Sequence, residues 1–199
     1  MPLAYGPNYL PSRGHRQKPG CAEEDSMINF MVLGGPRSGT TWAANWLNTD
    51  TTVCLHDPLL EYSTAHLHRM SFPGGKRFGI SCTASTLYPE WVNMQRCPKV
   101  VLHRDIKEIN LSLRNLGLVE LIPSRHEARL AAINNAMHVP YEYLFTSVGA
   151  SMIAKHLGVP FDPVRHDILM QMRIEPMWKH LNVGRQAAVD LINRIKEAR

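Results

Sequence analysis

The residues best suited to chemistry lie in one run, Gly34-Gly35-Pro36-Arg37-Ser38-Gly39-Thr40-Thr41-Trp42. Its glycines let a backbone fold back over an anion, so the N–H groups of Ser38, Gly39, Thr40 and Thr41 can point inward with a helix dipole behind them. Arg37 adds a permanent cation with several donors, and the hydroxyls of Ser38, Thr40 and Thr41 add neutral ones. Such a nest suits phosphate. Gly34 and Gly39 have the separation of the G-x-x-x-x-G-K-[ST] loop, but Thr40 stands where that pattern requires lysine, which disfavours ordinary ATP hydrolysis. A group able to take a proton is expected nearby, and the chain offers His56, Asp57 and, farther on, Glu61.

The elements that would position these groups alternate between strand and helix. Ile28 to Leu33 is a short apolar run closed by two glycines, the pattern of a buried parallel strand. A helix is expected from about Gly39 to Leu47, a strand near 52–55, and a helix from Pro58 to Met70 with Asp57 as its cap. Residues 71–79 (SFPGGKRFG) read as a loop. Pro98 to His103 is the next strand, and Asp105 with Glu108 opens a helix to about Leu116 in the manner of a capping box. Further helices are expected over Ser124–Asn134 and Ser147–Leu157, with a strand near Met137–Pro140 between them. Val183, Ala187, Leu191, Ile192 and Ile195 recur at the spacing of an amphipathic closing helix. The pattern predicts an α/β fold, a P-loop-type parallel sheet flanked by helices in a single compact domain over residues 27–199, with ligands at the carboxyl ends of the strands. Residues 1–26, rich in turn formers and without period, read as an extended arm.

The segment Pro36 to Trp42 resembles the sulfotransferases, whose loop reads P-[KR]-S-G-T-T-[WL] and binds 3′-phosphoadenosine 5′-phosphosulfate, leaving 3′-phosphoadenosine 5′-phosphate as product. The resemblance implies that Arg37 contacts the transferring sulfonate and the leaving phosphate, and that Trp42 stacks on the adenine. It extends to Arg104, at the end of a strand, and Ser112 eight residues later, a pair that in the family binds the donor's 3′-phosphate. Geometry makes the pair sensible: an arginine at a strand tip can fork onto phosphate while a serine two turns along the helix presents a hydroxyl to the same region. Tyr141-Glu142-Tyr143-Leu144 and Leu157-Gly158-Val159-Pro160 look like softer family segments and carry no role here. Asp57 falls where the tyrosylprotein and bacterial carbohydrate enzymes have a basic glutamate, while cytosolic members use a histidine from elsewhere; Asp57 and His56 are the candidate bases. Where relatives have a lysine segment after the following strand this chain has Gly79-Ile80-Ser81-Cys82-Thr83, and the C-terminal R-K-G loop is absent, with Lys179 and Arg185 as the candidates to replace that loop.

Composition sets the outer limits. The chain has 199 residues, 44% of them apolar and 20% charged, with a net charge of +5, enough for one core and favourable to an anionic ligand. No Lys/Arg block is dense enough to argue for nucleic acid, and no apolar run approaches the roughly 20 residues of a membrane span. No compact apolar stretch marks a signal peptide, so a cytoplasmic location is expected. Cys21, Cys54, Cys82 and Cys97 are scattered, and His66 with His68 lack further ligands, so no metal site is expected. The expected function is sulfonate transfer from the adenosine donor to a hydroxyl or amine of a small-molecule, carbohydrate or peptide acceptor. A non-catalytic module binding the same nucleotides, or a phosphotransferase with an altered loop, are the competing readings.

Overall fold

The structure is a computed structural model that describes residues 28–172 together with Asn193, Arg194 and Glu197. The expected arm at 1–26, most of the closing helix, and Lys179 and Arg185 lie outside the described residues. Five strands, β1 (Ile28–Gly34), β2 (Thr52–His56), β3 (Arg77–Cys82), β4 (Lys99–His103) and β5 (Ala136–Pro140), form one sheet in the order β2-β3-β1-β4-β5. Every pairing is parallel. The helices are α1 (Thr40–Trp46), α2 (Thr64–Leu67), α3 (Pro89–Met94), α4 (Ile106–Asn115), α5 (Pro123–Ala131), α6 (Ser147–Leu157) and α7 (Pro163–Met170). This is the expected α/β architecture. No helix among the described residues is long and apolar enough to cross a membrane.

Central β1 is covered on both faces, which is why its sequence is continuously apolar rather than alternating. Phe30 and Val32 join Val100 and Leu102 of β4 under Trp42 and Ala43 of α1, Ile153 and Ala154 of α6, and Leu169 of α7. Met31 and Leu33 face the other way, packing with Ile80, Val101, Val92 of α3 and Leu130 of α5. After β1 the chain leaves toward β2, whereas after β4 it leaves toward β5 on the opposite side. These diverging connections open a crevice between the carboxyl ends of β1 and β4, where a doubly wound sheet binds its ligand.

Side chains fasten α1 in place. Arg165 of α7 donates from Nε to the carbonyl of Trp46 at 3.0 Å and from a terminal nitrogen to that of Asn45 at 2.6 Å, satisfying carbonyls at the helix end that lack intrahelical partners. Asn48 donates to the carbonyls of Ala44 and Cys54 and accepts from the Cys54 amide. These bonds tie the end of α1 to β2.

Several local expectations are corrected. The helix expected from Pro58 to Met70 is a 3-10 turn at Pro58–Leu60 followed by the short α2. Asp57 sits in the left-handed region at φ 43° and makes no capping bond, so it does not launch a continuous helix, and Ser63 caps α2 instead by accepting from the His66 amide. The loop assigned to 71–79 ends early, because β3 begins at Arg77. The helices α3 and α7, which the sequence reading did not anticipate, both start with proline, whose fixed φ suits a first helical turn. Asp105 caps α4 as expected by accepting from the Lys107 amide, but Glu108 binds Arg104 rather than completing a capping box.

Gly79 of β3 lies in register with Phe30, and a Cβ there would come 2.1 Å from the Phe30 ring. Gly79→Ala is expected to lower the unfolding free energy by about 2–3 kcal/mol through overpacking, as measured by urea denaturation.

Candidate functional site

The turn leaving β1 carries the loop into the crevice. Gly39 takes φ 82° and Arg37 φ 64°, a region where a residue with a Cβ is uncommon and which tends to mark functional loops. Ser38 is fully buried, and its hydroxyl has no hydrogen-bond partner. An orphaned buried hydroxyl is costly, and an oxyanion held in the loop is one partner able to satisfy it. The Ser81 hydroxyl donates to the Thr40 carbonyl at 2.7 Å, fixing the first turn of α1 against β3.

Two residues from the far side of the crevice close on this loop. Arg37 donates from Nε to the Ser112 hydroxyl of α4 at 2.9 Å. Arg104, just beyond β4, donates from a terminal nitrogen to the Arg37 carbonyl and from Nε to Glu108 at 3.0 Å. Its guanidinium also lies over the Tyr141 ring, 4.6 Å from the centroid, a favourable cation–π contact. Arg37, Arg104 and Ser112, 75 residues apart at the extremes, thus meet in one hydrogen-bonded cluster.

On the other side of the loop, at the end of β2, His56 Nε2 lies 3.1 Å from the Thr41 hydroxyl, 3.4 Å from that of Thr40 and 3.2 Å from an Asp57 carboxylate oxygen. The second carboxylate oxygen accepts from the Thr83 amide at 2.5 Å. Burial pulls the His56 pKa below the ordinary imidazole value, while Asp57 pulls the other way. The result favours a neutral ring, the form that can accept a proton. Glu61 lies beyond the 3-10 turn and is exposed; no contact brings it to this group.

Trp42 departs from its expected role. The indole is 6% exposed and packs against Trp46, Phe145 and His166, so it stands as a core residue and no adenine-stacking role is assigned to it. Three contributors escaped the sequence reading. Thr83 follows β3, whose start was hidden in a segment read as loop; Tyr141 follows β5 and was given no role; His126 of α5 lies against Gly35, where a Cβ would come 2.4 Å from its ring. Position at the carboxyl end of a strand was the available signal for the first two.

Cys54 and Cys82 are buried and Cys97 half-buried, all three as free thiols. Burial pushes Cys82 and Cys97 up to about 11 and Cys54 higher still, so none is a ready nucleophile. Among the described residues no three His, Cys, Asp or Glu side chains are arranged to hold a metal ion. No protein-family model and no curated protein matches this chain.

His56, His103 and His126 are all held below the ordinary imidazole value, in each case chiefly by burial. For such bases the unfolded chain binds the extra protons, so stability is full above the unfolded pKa of about 6.5 and falls as the pH drops below it. Denaturant midpoints followed from pH 7.5 to 5.5 are expected to fall, with a shallower fall in His56→Gln; a flat or rising profile would contradict the lowered imidazole values.

Proposed function

We propose that this chain is a sulfotransferase that takes a sulfonate group from 3′-phosphoadenosine 5′-phosphosulfate and transfers it to a hydroxyl or amine acceptor. The observation that carries the reading is the meeting of the phosphate loop with Arg104 and Ser112, which gives one crevice two adjacent sets of oxyanion donors. A donor with phosphate at both its 5′ and 3′ positions matches two such sets; a lone ATP-type loop would need only the first. The orphaned Ser38 hydroxyl and the loop glycines fit the donor's 5′ end.

When bound, the donor supplies an activated sulfonate and a phosphate leaving group. The protein's part is positioning and charge stabilisation. Arg37 and the amides of Gly39 to Thr41 face the charge that develops as the bond to phosphate breaks. Arg104, with three of its five N–H donors outside the bonds to Glu108 and Arg37, holds the 3′-phosphate together with Ser112. His56 and Asp57 act as a unit on the acceptor's proton: the Thr83 amide fixes the carboxylate, which in turn orients the imidazole.

Calorimetric titration tests this with 3′-phosphoadenosine 5′-phosphate against ATP plus magnesium. The bisphosphate is expected to bind preferentially, and Arg104→Ala to weaken it about 10- to 100-fold, the worth of a charge-assisted phosphate contact. Preference for magnesium-ATP would sink the assignment. In transfer assays, His56→Gln and Asp57→Asn are each expected to lower turnover by about 10²-fold or more while leaving bisphosphate affinity close to wild type. Wild-type turnover in both would remove the pair from the mechanism.

A further inference from the structure

Beside the loop, on the side away from His56, the fold gathers three imidazoles. His103 ends β4, and His138 of β5 is in register with Val101, two residues before His103; alternation therefore puts both side chains on the sheet face that carries α5. His103 Nε2 and His138 Nδ1 are 2.8 Å apart, with ring centroids 5.1 Å apart and planes tilted by 32°. From α5, His126 reaches Gly35, and only the missing side chain of that glycine lets the ring approach so closely.

Proton counting shows what such a pair can do. Two nitrogens at 2.8 Å share a single proton, one donating and the other accepting. If His103 donates, its Nδ1 is free to take an added proton; if His138 donates, its own Nε2 is. Either way one extra proton fits on an outward nitrogen, and a second would set two N–H groups head to head. The pair steps from neutral to one positive charge.

Among the described residues no carboxylate is bonded to either ring of the pair. Arg104 follows His103 directly, and its nearest carboxylate, Glu108, is engaged by it. Asp105 is turned to the Lys107 amide. From α5, His126 and Arg129 are basic and Glu127 acts on His126; from the loop, Arg37 is basic. His103 is held below the ordinary imidazole value by burial, then by His138 and His126, with no acidic group among the causes. A cluster of this kind is stabilised in its charged form by an anion from outside.

We propose that His103, His138 and His126 form a proton-linked subsite for a tetrahedral oxyanion, a sulfate or phosphate group, beside the phosphate loop. Its position on the β4–β5 side leaves two sources for that group, the donor nucleotide's own phosphates or a second anion on an acidic acceptor. The subsite goes beyond the proposed function and rests on it only for this choice of source.

The test is an imidazole NMR titration of the full chain with excess sodium sulfate against sodium chloride of equal ionic strength. Sulfate is expected to raise the midpoint of the His103 signals by about half to one pH unit, a three- to tenfold preference for the protonated form. In His138→Gln most of the sulfate shift should vanish. Equal effects of sulfate and chloride, or an undiminished shift in the variant, would each overturn the proposal. Saturating 3′-phosphoadenosine 5′-phosphate then separates the sources: a raised midpoint to which sulfate adds nothing assigns the group to the nucleotide, and a further rise with sulfate assigns it to a second anion. Failure of the bisphosphate to bind while sulfate still raises the midpoint would remove the sulfotransferase reading and leave the subsite standing.

Discussion

Two hydrogen bonds at Arg37, its Nε to the Ser112 hydroxyl and its carbonyl from the Arg104 guanidinium, join the loop after β1 to the elements after β4. The rest of the site depends on this join. The sheet order alone opens a crevice between those strands, but a crevice between diverging connections is only a location. Tying the loop to Arg104 and α4 sets the distance between two groups of oxyanion donors, and that spacing is what a doubly phosphorylated nucleotide would read.

Bringing two arginines together costs electrostatic energy, and the neighbourhood offsets it by specific contacts. Glu108 binds the Arg104 Nε one turn along α4, and the Tyr141 ring covers one face of the guanidinium. Because Glu108 is 53% exposed, solvent screens this pair, which steers Arg104 more than it stabilises the fold. Arg37 meets the same need through strain: its left-handed backbone turns the carbonyl toward Arg104, a conformation disfavoured in isolation and maintained by the contacts around it. Beneath, Arg165, Asn48 and Ser81 fasten α1 at both ends, so the loop springs from a rigid base.

The parts of this arrangement written locally were legible in the sequence. The apolar run of β1 closed by Gly34 and Gly35, the β4 run ending in Arg104, and the Asp105 cap each follow from a few adjacent residues, and their alternation with helices gave the parallel α/β fold. The parts that depend on distant contacts were not. Phe78 to Ser81 pairs on both sides with other strands, but the strand's start sits behind Pro-Gly-Gly, so turn chemistry concealed a strand whose partners lie far off in the chain. Asp57 looked like a cap because Asp-Pro often is one; the Thr83 amide, reached only once β3 is in place, holds its carboxylate elsewhere. Trp42 could be read as a ring for an adenine or as core, and the aromatic cluster of α1 with Phe145 and His166 decided for core.

Under the proposed function the crevice receives two phosphates at a fixed separation. A crystal structure with 3′-phosphoadenosine 5′-phosphate tests it most directly. The proposed function predicts one phosphate against the Ser38 hydroxyl and the amides of Gly39 to Thr41, the other on Arg104 and Ser112, with Arg37 released from Ser112 to meet the ligand. A nucleotide bound with its 3′-phosphate in solvent, or bound outside the β1–β4 crevice, would contradict it.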